Sequence, residues 1–362
     1  MSILLTRLLR QAEQKLAAGD EAEAESLCCQ ALEGATALCN TALVAEAAAL
    51  LGRIPWTDQQ QRGAAVLTLH NKAVSMQRRP IDDEAALMLC DALLTLTPPY
   101  PQMHVAVHNM AVYIGSRHGK ESRERYVGKL LALFDGVAID GGEESANIEI
   151  TRAAGPRRAT QLLARRGAAL IRGLFAPEEC APFLAAGHDY FSIHAGQASL
   201  AHKVVDLQPL LATEGGQFLT AAIAPFFPMP PALQPLQTYL RRVAAVWPET
   251  AVPFHQDVQA FGRLLINAWT PLTPCGRDAP GLELVVARLR DLAETVPAST
   301  QYDELQISEE TVRARFGDES IIRPEMAPGD VLILLGTTIH RTYIRPEMSE
   351  QRLSLELRFG VQ

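Results

Sequence analysis

The chain has 362 residues, of which 48% are hydrophobic and 20% are charged, and its formal net charge is −8. This length accommodates two domains with their own cores, and this composition excludes a disordered or fibrous protein. The negative charge argues against a broad basic surface for nucleic acid, and no apolar run is long enough to cross a membrane. The first residues, MSILLTRLLRQAEQKL, carry recurring charges and lack the features of a signal peptide. We therefore expect a cytoplasmic protein without a nucleic-acid or membrane partner.

The N-terminal part of the chain, residues 1–154, is predicted to be an all-α domain. Its apolar residues recur at helical spacing, for example at Leu5, Leu9 and Ala12. The pattern that runs from Ala12 through Gly19 to Ala31 resembles one tetratricopeptide repeat. A regular array of three or more such units does not follow it, so repeat-like helix pairs and an irregular helical bundle both stay open.

The C-terminal part, residues 155–362, is predicted to be rich in β-strands. It follows the segment ITRAAGPRRATQLLARRG, whose Gly-Pro pair and arginines are typical of a domain boundary, which we place near residue 155. Short apolar runs broken by proline and glycine then predict a sandwich or barrel. These runs are AALIRGLF, PLQTYLRRVAAVW, VPFHQDVQAF, RLLINAWTPL, GLELVV, GDVLILLG and RLSLELRFG. The predicted fold class is α+β, with a helical domain followed by a β domain.

The last predicted strand has one polar face and one apolar face, because alternate residues of a strand point in opposite directions. The residues of the polar face are Arg352, Ser354, Glu356 and Arg358. Leucine and phenylalanine alternate with them. A strand that packs its apolar face on an outer layer would turn its charged face into the barrel, where it would line a ligand cavity.

Three residues of the β domain form a candidate metal site. His255 and Asp257 are two positions apart in the predicted strand VPFHQDVQAF, so their side chains are expected on the same face. His340 follows the predicted strand VLILLG and is the best candidate for a third ligand. Two imidazoles and one carboxylate form the facial set that suits non-haem Fe(II) and leaves coordination positions open.

Arginines near these residues are candidates for anion binding. A guanidinium pairs with a carboxylate through two parallel hydrogen bonds, so Arg352 could hold the distal end of a dicarboxylate that also binds the metal. The alternative is an ion pair between Arg352 and Glu356. Arg241 and Arg242, in the strand before the His-x-Asp motif, either contact an acidic substrate or form an exposed, charged strand end.

Several segments, in this order, resemble the phytanoyl-CoA dioxygenase family of Fe(II)/2-oxoglutarate-dependent oxygenases. RRGAALIRGLFAPEECAPFLAAG resembles the family's entry strand and first helix, and VPFHQDVQAF resembles its His-x-Asp segment. NAWTPLTPCG and APGLELV resemble the next core strands, and PGDVLILLGTTIHRTYI…QRLSLELRFG resembles the region with the distal histidine and the arginine. The segment VVARLRDLAE departs from the family pattern, and the helical part of the chain lies outside the resemblance.

The resemblance implies a double-stranded β-helix, or jelly roll, with flanking helices and with a metal in its cavity. It assigns Fe(II) binding to His255, Asp257 and His340. It assigns contacts with the cosubstrate 2-oxoglutarate to Arg352, Ser354, Thr342 and Trp269. The match at Trp269 is looser than the others, and packing in the core is the alternative role for its indole ring.

The resemblance also implies a dioxygenase that uses molecular oxygen to hydroxylate or otherwise oxidise a small-molecule or carrier-bound substrate. Since Asp257 supplies a carboxylate ligand, no coordination position is vacated for a halide, and hydroxylation is favoured over halogenation. The helical domain would shape access to the site or dock a protein partner. Two other interpretations stay open: a catalytically inactive binding or scaffold protein, and a cupin-like metal isomerase or hydrolase that does not need Arg352.

A second pair of histidines lies in the helical domain. His104 and His108 are four residues apart on a predicted helix and share a face. The glutamate of the HExxH zinc motif is absent from the sequence between them. We therefore expect these two side chains to lie at the surface or in a packed core rather than to bind a metal.

Overall fold

The computed structural model of the chain describes residues 2–38, 40–54, 63, 66–67, 69–71, 73–74, 83–98, 100–132, 137, 147–193, 200–202, 206–261, 263, 265–296 and 305–361. The chain divides into two units, Met1–Leu130 and Leu131–Gln362. The first unit is helical and the second contains the β-sheets. The domain boundary near residue 155 stays a prediction. Among the described residues, no helix combines the length and hydropathy that a membrane crossing requires.

The first unit is built from closely packed helices, two of which begin at polar caps. Its described helices are α1 (Ser2–Ala17), α2 (Glu21–Ala37), α3 (Thr41–Arg53), α4 (Asp83–Leu96), α5 (Pro101–His118) and α6 (Lys120–Ala132). The side chains of Asp20 and Asn40 cap α2 and α3 by accepting hydrogen bonds from backbone N–H groups of the first turn. Gly34 lets α2 approach α1, since a Cβ atom there would lie 2.6 Å from Cδ2 of Leu5. A helical repeat stays a prediction.

The second unit combines strands with short helices. Its strands are β1 (Glu149–Thr151), β2 (Ala168–Arg172), β3 (Leu200–His202), β4 (Ala232–Leu233), β5 (Tyr239–Ala244), β6 (Ile266–Pro271), β7 (Gly281–Val285), β8 (Ile321–Ile322), β9 (Val331–Leu335), β10 (His340–Tyr343) and β11 (Gln351–Gly360). Its α-helices are α7 (Pro156–Arg166), α8 (Pro177–Ile193), α9 (Gln208–Ala212), α10 (Glu214–Ile223), α11 (Asp257–Phe261) and α12 (Glu309–Phe316). The strands predicted in AALIRGLF, PLQTYLRRVAAVW, RLLINAWTPL, GLELVV, GDVLILLG and RLSLELRFG are confirmed.

The strands form two sheets, and the chain passes back and forth between them. The large sheet has the order β1-β2-β9-β6-β11-β5-β3, with β4 also paired to β11, and the small sheet has the order β10-β7-β8. β1 and β2 are parallel, and the other described strand pairs are antiparallel. From β5 and β6 in the large sheet the chain crosses to β7 and β8, returns with β9, crosses again with β10 and returns with β11.

Apolar side chains from both sheets pack together in one core. Leu170, Leu332 and Leu334 of the large sheet pack with Leu284 of the small sheet, and the indole of Trp269 joins them. All five residues are almost completely buried. Burial of one such side chain contributes roughly 2 kcal/mol to the free energy of unfolding. This core therefore holds the two sheets at a fixed separation next to the candidate site.

The segment VPFHQDVQAF is not a strand, so this part of the sequence-based prediction is wrong. His255 forms an isolated antiparallel bridge with His340, and Asp257 begins the short helix α11. The chain turns between these residues because the side chain of Gln256 is fully buried and hydrogen-bonds to the backbone of two other segments. The backbone carbonyl of Gln256 accepts from the N–H groups of Gln259 and Ala260, so the bonds of a helical turn replace the ladder that a continuous strand would have made.

Candidate metal centre

A cavity of about 370 Å³ lies between the two sheets. Side chains of β5, β6 and β11 line it from the large sheet, and side chains of β7 and β10 line it from the small sheet. Arg352, Glu356 and Arg358 are among these lining residues. The charged face of the last strand therefore points inward, as its alternating pattern predicts.

The three residues of the predicted metal site meet at this cavity. One potential ligand atom from each of His255, Asp257 and His340 lies within 4.8 Å of the other two. The backbone bridge between the two histidines, with N···O distances of 3.0 and 3.1 Å, places their ring centroids 4.3 Å apart. In the described part of the chain, no other three histidine, cysteine or acidic side chains converge in this way.

Hydrogen bonds on the far side of both imidazoles determine which nitrogen is free. Nδ1 of His255 lies 2.9 Å from the carbonyl oxygen of Pro253, and Nδ1 of His340 lies 2.9 Å from that of Thr338. A carbonyl oxygen only accepts, so each Nδ1 donates its proton, and in the neutral form of each ring Nε2 then carries the lone pair. Burial and the neighbouring His255 lower the pKa of His340 to about 4, so this ring is neutral at neutral pH. Both rings thus present the nitrogen atom that a metal would bind.

Asp257 has one oxygen held in hydrogen bonds and one oxygen without them. Oδ2 accepts from Nδ2 of Asn267 at 3.3 Å and from Nε of Arg358 at 3.4 Å. Oδ1 has no hydrogen-bond partner among the described residues and lies 3.5 Å from Nε2 of His255. Burial by itself would raise the pKa of Asp257, but the charge of Arg358 brings it below its ordinary value. The carboxylate is therefore ionised, and Oδ1 is its available oxygen.

Arg352 is a buried guanidinium without an acidic partner in the described part of the chain. Its side chain lines the cavity, and the residue is 1% exposed. Nη1 donates to the carbonyl oxygen of Gly281 at 2.9 Å, whereas Nε makes no hydrogen bond with any described residue. It does not pair with Glu356, because Glu356 pairs with Arg358 at 3.0 Å and with Arg241 at 3.8 Å. Burial and Arg241 lower the pKa of Arg352 to about 10, so it stays charged at neutral pH. The cavity thus contains a cation for which the described residues provide no counter-ion.

The other three residues predicted to contact a cosubstrate lie in different environments. Trp269 and Thr342 line the cavity, and the guanidinium of Arg352 lies 5.1 Å above the ring of Trp269. Nε1 of Trp269 has no hydrogen-bond partner among the described residues, and Oγ1 of Thr342 accepts from the backbone N–H of Val252. Ser354 is fully buried and is not among the lining residues, and its Oγ has no hydrogen-bond partner among the described residues either. Trp269 also packs in the core, which is the alternative role considered for its indole, and its contact with a cosubstrate stays a prediction.

The two adjacent arginines of β5 are both buried, so the expectation of an exposed, charged strand end is wrong. Arg241 lines the cavity and donates to the carbonyl oxygen of Thr250 at 2.9 Å. Arg242 points to the opposite side of the sheet, where its guanidinium lies 4.8 Å from the ring of Phe191 and 4.7 Å from that of Trp247. Of the two, Arg241 is the residue placed to influence a ligand in the cavity.

Two residues that support the site escaped the sequence analysis. The amide of Gln256 donates to the carbonyl oxygens of Thr337 at 2.7 Å and Asp291 at 3.1 Å, and its own oxygen accepts from the backbone N–H of Ala293 at 2.8 Å. These bonds tie the His-x-Asp segment to the loop before the distal histidine. Asn267 is a polar residue within the apolar run LLINAWTPL, and that interruption is the signal that could have identified it.

The unpaired polar atoms of the cavity suit a cation and a dicarboxylate. Oδ1 of Asp257 and the two imidazole Nε2 atoms are ligand atoms that divalent transition metals prefer. Nε of Arg352 and Nε1 of Trp269 are N–H groups that can bind a carboxylate. A buried polar group without a hydrogen bond typically costs about 1–3 kcal/mol, so ligands that satisfy these atoms would be stabilised here. The donor set therefore fits Fe(II) together with 2-oxoglutarate.

Known proteins with a similar structure share little sequence with this chain. No family model and no curated protein matches it. The epimerase SnoN, solved in complex with Fe3+, alpha ketoglutarate and nogalamycin RO, is 14% identical over 57% of this chain and 84% of its own, with a TM-score of 0.42. AviO1 from Streptomyces viridochromogenes Tue57 is 17% identical over 60% of this chain and 96% of its own, with a TM-score of 0.40. EctD from S. alaskensis, solved in its apoform, is 13% identical over 62% of this chain and 81% of its own, with a TM-score of 0.46. TM-scores at this level do not establish a shared fold.

Proposed function

We propose that the chain is a non-haem Fe(II)/2-oxoglutarate-dependent dioxygenase and that its two sheets form a double-stranded β-helix. The observation that carries this proposal is the presence of two complementary unpaired groups in one cavity. Ligand atoms of His255, Asp257 and His340 converge at one point, and the guanidinium of Arg352, in the same cavity, has no counter-ion among the described residues. A dicarboxylate that binds a metal at one end and a guanidinium at the other would use both groups.

The charges of the cavity are consistent with this pair of ligands. Arg341 also lines the cavity, but it pairs with Glu283 and Glu309. The other charged lining residues are Arg241, Asp257, Arg352, Glu356 and Arg358. Among the described lining residues, three arginines thus face two carboxylates. Fe(II) and the 2-oxoglutarate dianion are neutral as a pair, so they can enter together without adding net charge to a buried site, where charge is costly.

The residues of the chain would bind and orient these two ligands. Bound Fe(II) and 2-oxoglutarate would supply the oxidative chemistry, in which 2-oxoglutarate and O₂ yield succinate and carbon dioxide while the substrate is oxidised. His255, Asp257 and His340 would hold the metal. Arg352 would bind the distal carboxylate, and the ring of Trp269 would keep the guanidinium in place by stacking on it. Thr342 and Ser354 would offer their hydroxyl groups to the same end of the cosubstrate.

The carboxylate of Asp257 favours hydroxylation or a related oxidation over halogenation. A halide would need the coordination position that this carboxylate occupies. The variant Asp257→Ala is therefore expected to lose 2-oxoglutarate turnover rather than to change its product. Full 2-oxoglutarate turnover by Asp257→Ala would contradict this assignment.

We propose a small-molecule or carrier-bound substrate. A cavity of about 370 Å³ is of the size that holds one small ligand, and apolar residues such as Val252, Pro253 and Phe261 line it near the proposed metal ligands. Such surroundings would exclude water from the reacting carbon atom. For the helical unit we propose a role in shaping access to the site or in docking a protein partner.

Anaerobic absorption spectroscopy tests the proposed function. Wild-type protein is mixed with Fe(II) and then titrated with 2-oxoglutarate, whose keto-acid end should chelate the metal and give a weak visible charge-transfer band. Succinate is the matched control ligand, because it has two carboxylates but no keto group, and it should give no such band. A catalytically inactive scaffold would give no band with either ligand. A cupin-like isomerase or hydrolase would show a turnover that Arg352→Ala leaves unchanged.

A further inference from the structure

We propose that Arg358 is a positioning residue that holds Asp257 so that only Oδ1 of this carboxylate binds the metal. The inference rests on the proposed function and adds a residue outside the predicted ligand set. It starts from the asymmetry of the Asp257 carboxylate. Both of its hydrogen bonds, from Asn267 and Arg358, reach Oδ2, whereas Oδ1 makes none with the described residues.

The guanidinium of Arg358 is held in place through all three of its nitrogen atoms. Nε donates to Asp257 at 3.4 Å, Nη1 donates to the carbonyl oxygen of Gln237 at 2.8 Å, and Nη2 donates to Oε2 of Glu356 at 3.0 Å. The side chain is 4% exposed. Because a guanidinium is planar and presents its donors in a rigid fork, these contacts fix the direction of its Nε–H group. Arg358 is thus a rigid donor aimed at one oxygen of Asp257.

Aromatic rings restrict the guanidinium further. The ring of Tyr239 lies 5.0 Å and the ring of Phe261 4.7 Å from its central carbon atom. Cation–π contacts of this kind are stronger when the cation is buried. Arg358 therefore has few alternative positions, and a shift of Oδ2 toward a metal would break its hydrogen bond to Nε.

The number of oxygen atoms that Asp257 gives to the metal has a chemical consequence. A carboxylate with two free oxygens can bind a cation through one or both of them. Binding through both would take a coordination position that the facial set otherwise leaves open for 2-oxoglutarate or oxygen. By retaining Oδ2, Arg358 and Asn267 would keep that position open.

A purely structural role for Arg358 would be the neutralisation of Glu356. Glu356, however, has a second cation, since Nη1 of Arg241 lies 3.8 Å from its Oε1. Among the described residues Asp257 has no second arginine or lysine within ion-pair distance. Loss of the Arg358 charge would therefore affect Asp257 more than Glu356, and a defect should appear at the metal rather than only in stability.

The test compares Arg358→Gln and Arg358→Lys with Arg242→Gln and Arg242→Lys. Arg242 is a matched control, because it is a buried arginine of the same sheet that packs against aromatic rings but faces away from the cavity. Mn(II) dissociation constants are measured from the electron paramagnetic resonance signal of free Mn(II), without cosubstrate. We expect Arg358→Gln to weaken Mn(II) binding by about 10- to 100-fold, as loss of a partner of a metal ligand typically does. Arg358→Lys should lie between this variant and wild type, and the Arg242 variants should match wild type.

The absorption spectrum of the Co(II)-loaded protein reports on coordination directly. Because Co(II) bands weaken as coordination number rises, binding through both oxygens in Arg358→Gln should give a weaker spectrum per bound ion than wild type. The second variant, Asn267→Leu, removes the other donor to Oδ2 and should weaken Mn(II) binding by a smaller factor. Asn267→Leu replaces Arg358→Gln as the test variant if thermal melting shows that Arg358→Gln is unfolded.

The outcomes separate this proposal from the function on which it rests. A wild-type protein that binds no divalent metal would overturn the proposed function and this proposal together. The proposal alone would be overturned by a different result. In that case the wild type binds Mn(II), Arg358→Gln and Asn267→Leu bind it equally tightly, and the Co(II) spectra of the variants are unchanged. Equal weakening in the Arg242 variants would also overturn it, because the effect would then come from general destabilisation.

Discussion

Each of the two units contains a pair of histidine rings in contact, and the pairs differ in how their nitrogen atoms are used. In the β unit, the ring centroids of His255 and His340 are 4.3 Å apart, and both Nδ1 atoms donate to backbone carbonyls. In the helical unit, the centroids of His104 and His108 are 4.6 Å apart and the rings are nearly perpendicular. Ring proximity is therefore almost the same in both pairs.

The hydrogen bonds of the helical pair use the nitrogen lone pair that a metal would need. Oγ1 of Thr97 donates to the carbonyl oxygen of Leu93, so it accepts from Nδ1 of His104. Nε2 of His104 then carries a lone pair, which accepts the N–H of His108 at 3.2 Å. No acidic or cysteine side chain of the described residues completes a three-ligand group there. A metal site thus requires free, convergent lone pairs and a carboxylate, and not merely two neighbouring histidines.

Removing one ring from each pair should give the largest contrast. His255→Ala removes a proposed metal ligand, so Fe(II)-dependent succinate formation from 2-oxoglutarate should fall roughly a thousandfold, as the loss of several kcal/mol of metal-dependent stabilisation implies. His104→Ala makes the same substitution in the helical pair and should leave this rate unchanged. Measurement of succinate under saturating Fe(II) checks both variants. Equal rates for the two variants would mean that His255 does not act as a metal ligand that distinguishes its pair from the helical pair.

The helical pair should show its own pH dependence of stability. Burial, together with His104 and Lys129, lowers the pKa of His108 from 6.5 to about 4. Unfolding restores the ordinary pKa, so between pH 6.5 and pH 4 the unfolded chain binds a proton that the folded chain does not. The free energy of unfolding should therefore fall by about 3 kcal/mol as the pH is lowered through this range. Urea titrations at several pH values should show this decrease in the wild type and a decrease smaller by about 3 kcal/mol in His108→Gln. Parallel pH profiles of the two proteins would contradict this prediction.

Arg352 gives a third contrast, between the binding of the cosubstrate and the binding of the metal. Arg352→Met should raise the KM for 2-oxoglutarate by about 100-fold, which corresponds to roughly 2.7 kcal/mol for the loss of a buried charge pair. Mn(II) binding in the absence of 2-oxoglutarate should not change, since Arg352 does not contact the proposed ligands. Arg242→Met is the matched control and should leave the KM at the wild-type value. An unchanged KM in Arg352→Met would remove the main argument for 2-oxoglutarate.

The smallest effect is expected at Gln256. Gln256→Met keeps the size of the side chain but leaves buried backbone groups of Thr337 and Ala293 without their partners, so the free energy of unfolding should fall by about 2 kcal/mol. Mn(II) affinity should fall with it. Gln234 is a buried glutamine whose described side-chain bond is local, to the carbonyl oxygen of Ala232, and Gln234→Met should leave Mn(II) affinity intact. Equal Mn(II) affinities in the two variants would show that Gln256 does not support the metal site.

The sequence predicted the strands well because their apolar runs reflect burial directly. It also predicted that the charged residues of β11 face inward, since alternation along a strand fixes which residues share a face. The prediction was wrong at the His-x-Asp segment, where three hydrogen bonds of Gln256 break the strand that local pattern favours. Side-chain hydrogen bonds to distant backbone groups leave no periodic signal in a sequence.

The partners of the arginines could not be predicted for a related reason. Arg352 and Glu356 lie on one face of one strand, which made an ion pair between them reasonable. In the structure Arg358 and Arg241 take both oxygens of Glu356, and this outcome depends on the pairing of β5 with β11. The burial of Arg241 and Arg242 depends on the same pairing. Strand order is a property of the whole chain, and so only the three-dimensional structure shows that Arg352 has no counter-ion among the described residues.

A crystal structure of the protein grown with Mn(II) and 2-oxoglutarate tests the central claim most directly, because anomalous scattering locates the metal without assumptions. The proposed function predicts one Mn(II) ion bound by Nε2 of His255, Oδ1 of Asp257 and Nε2 of His340, with the distal carboxylate of 2-oxoglutarate on the guanidinium of Arg352. A well-ordered structure in which Mn(II) lies elsewhere, or in which Arg352 faces a protein carboxylate instead of the ligand, would contradict it.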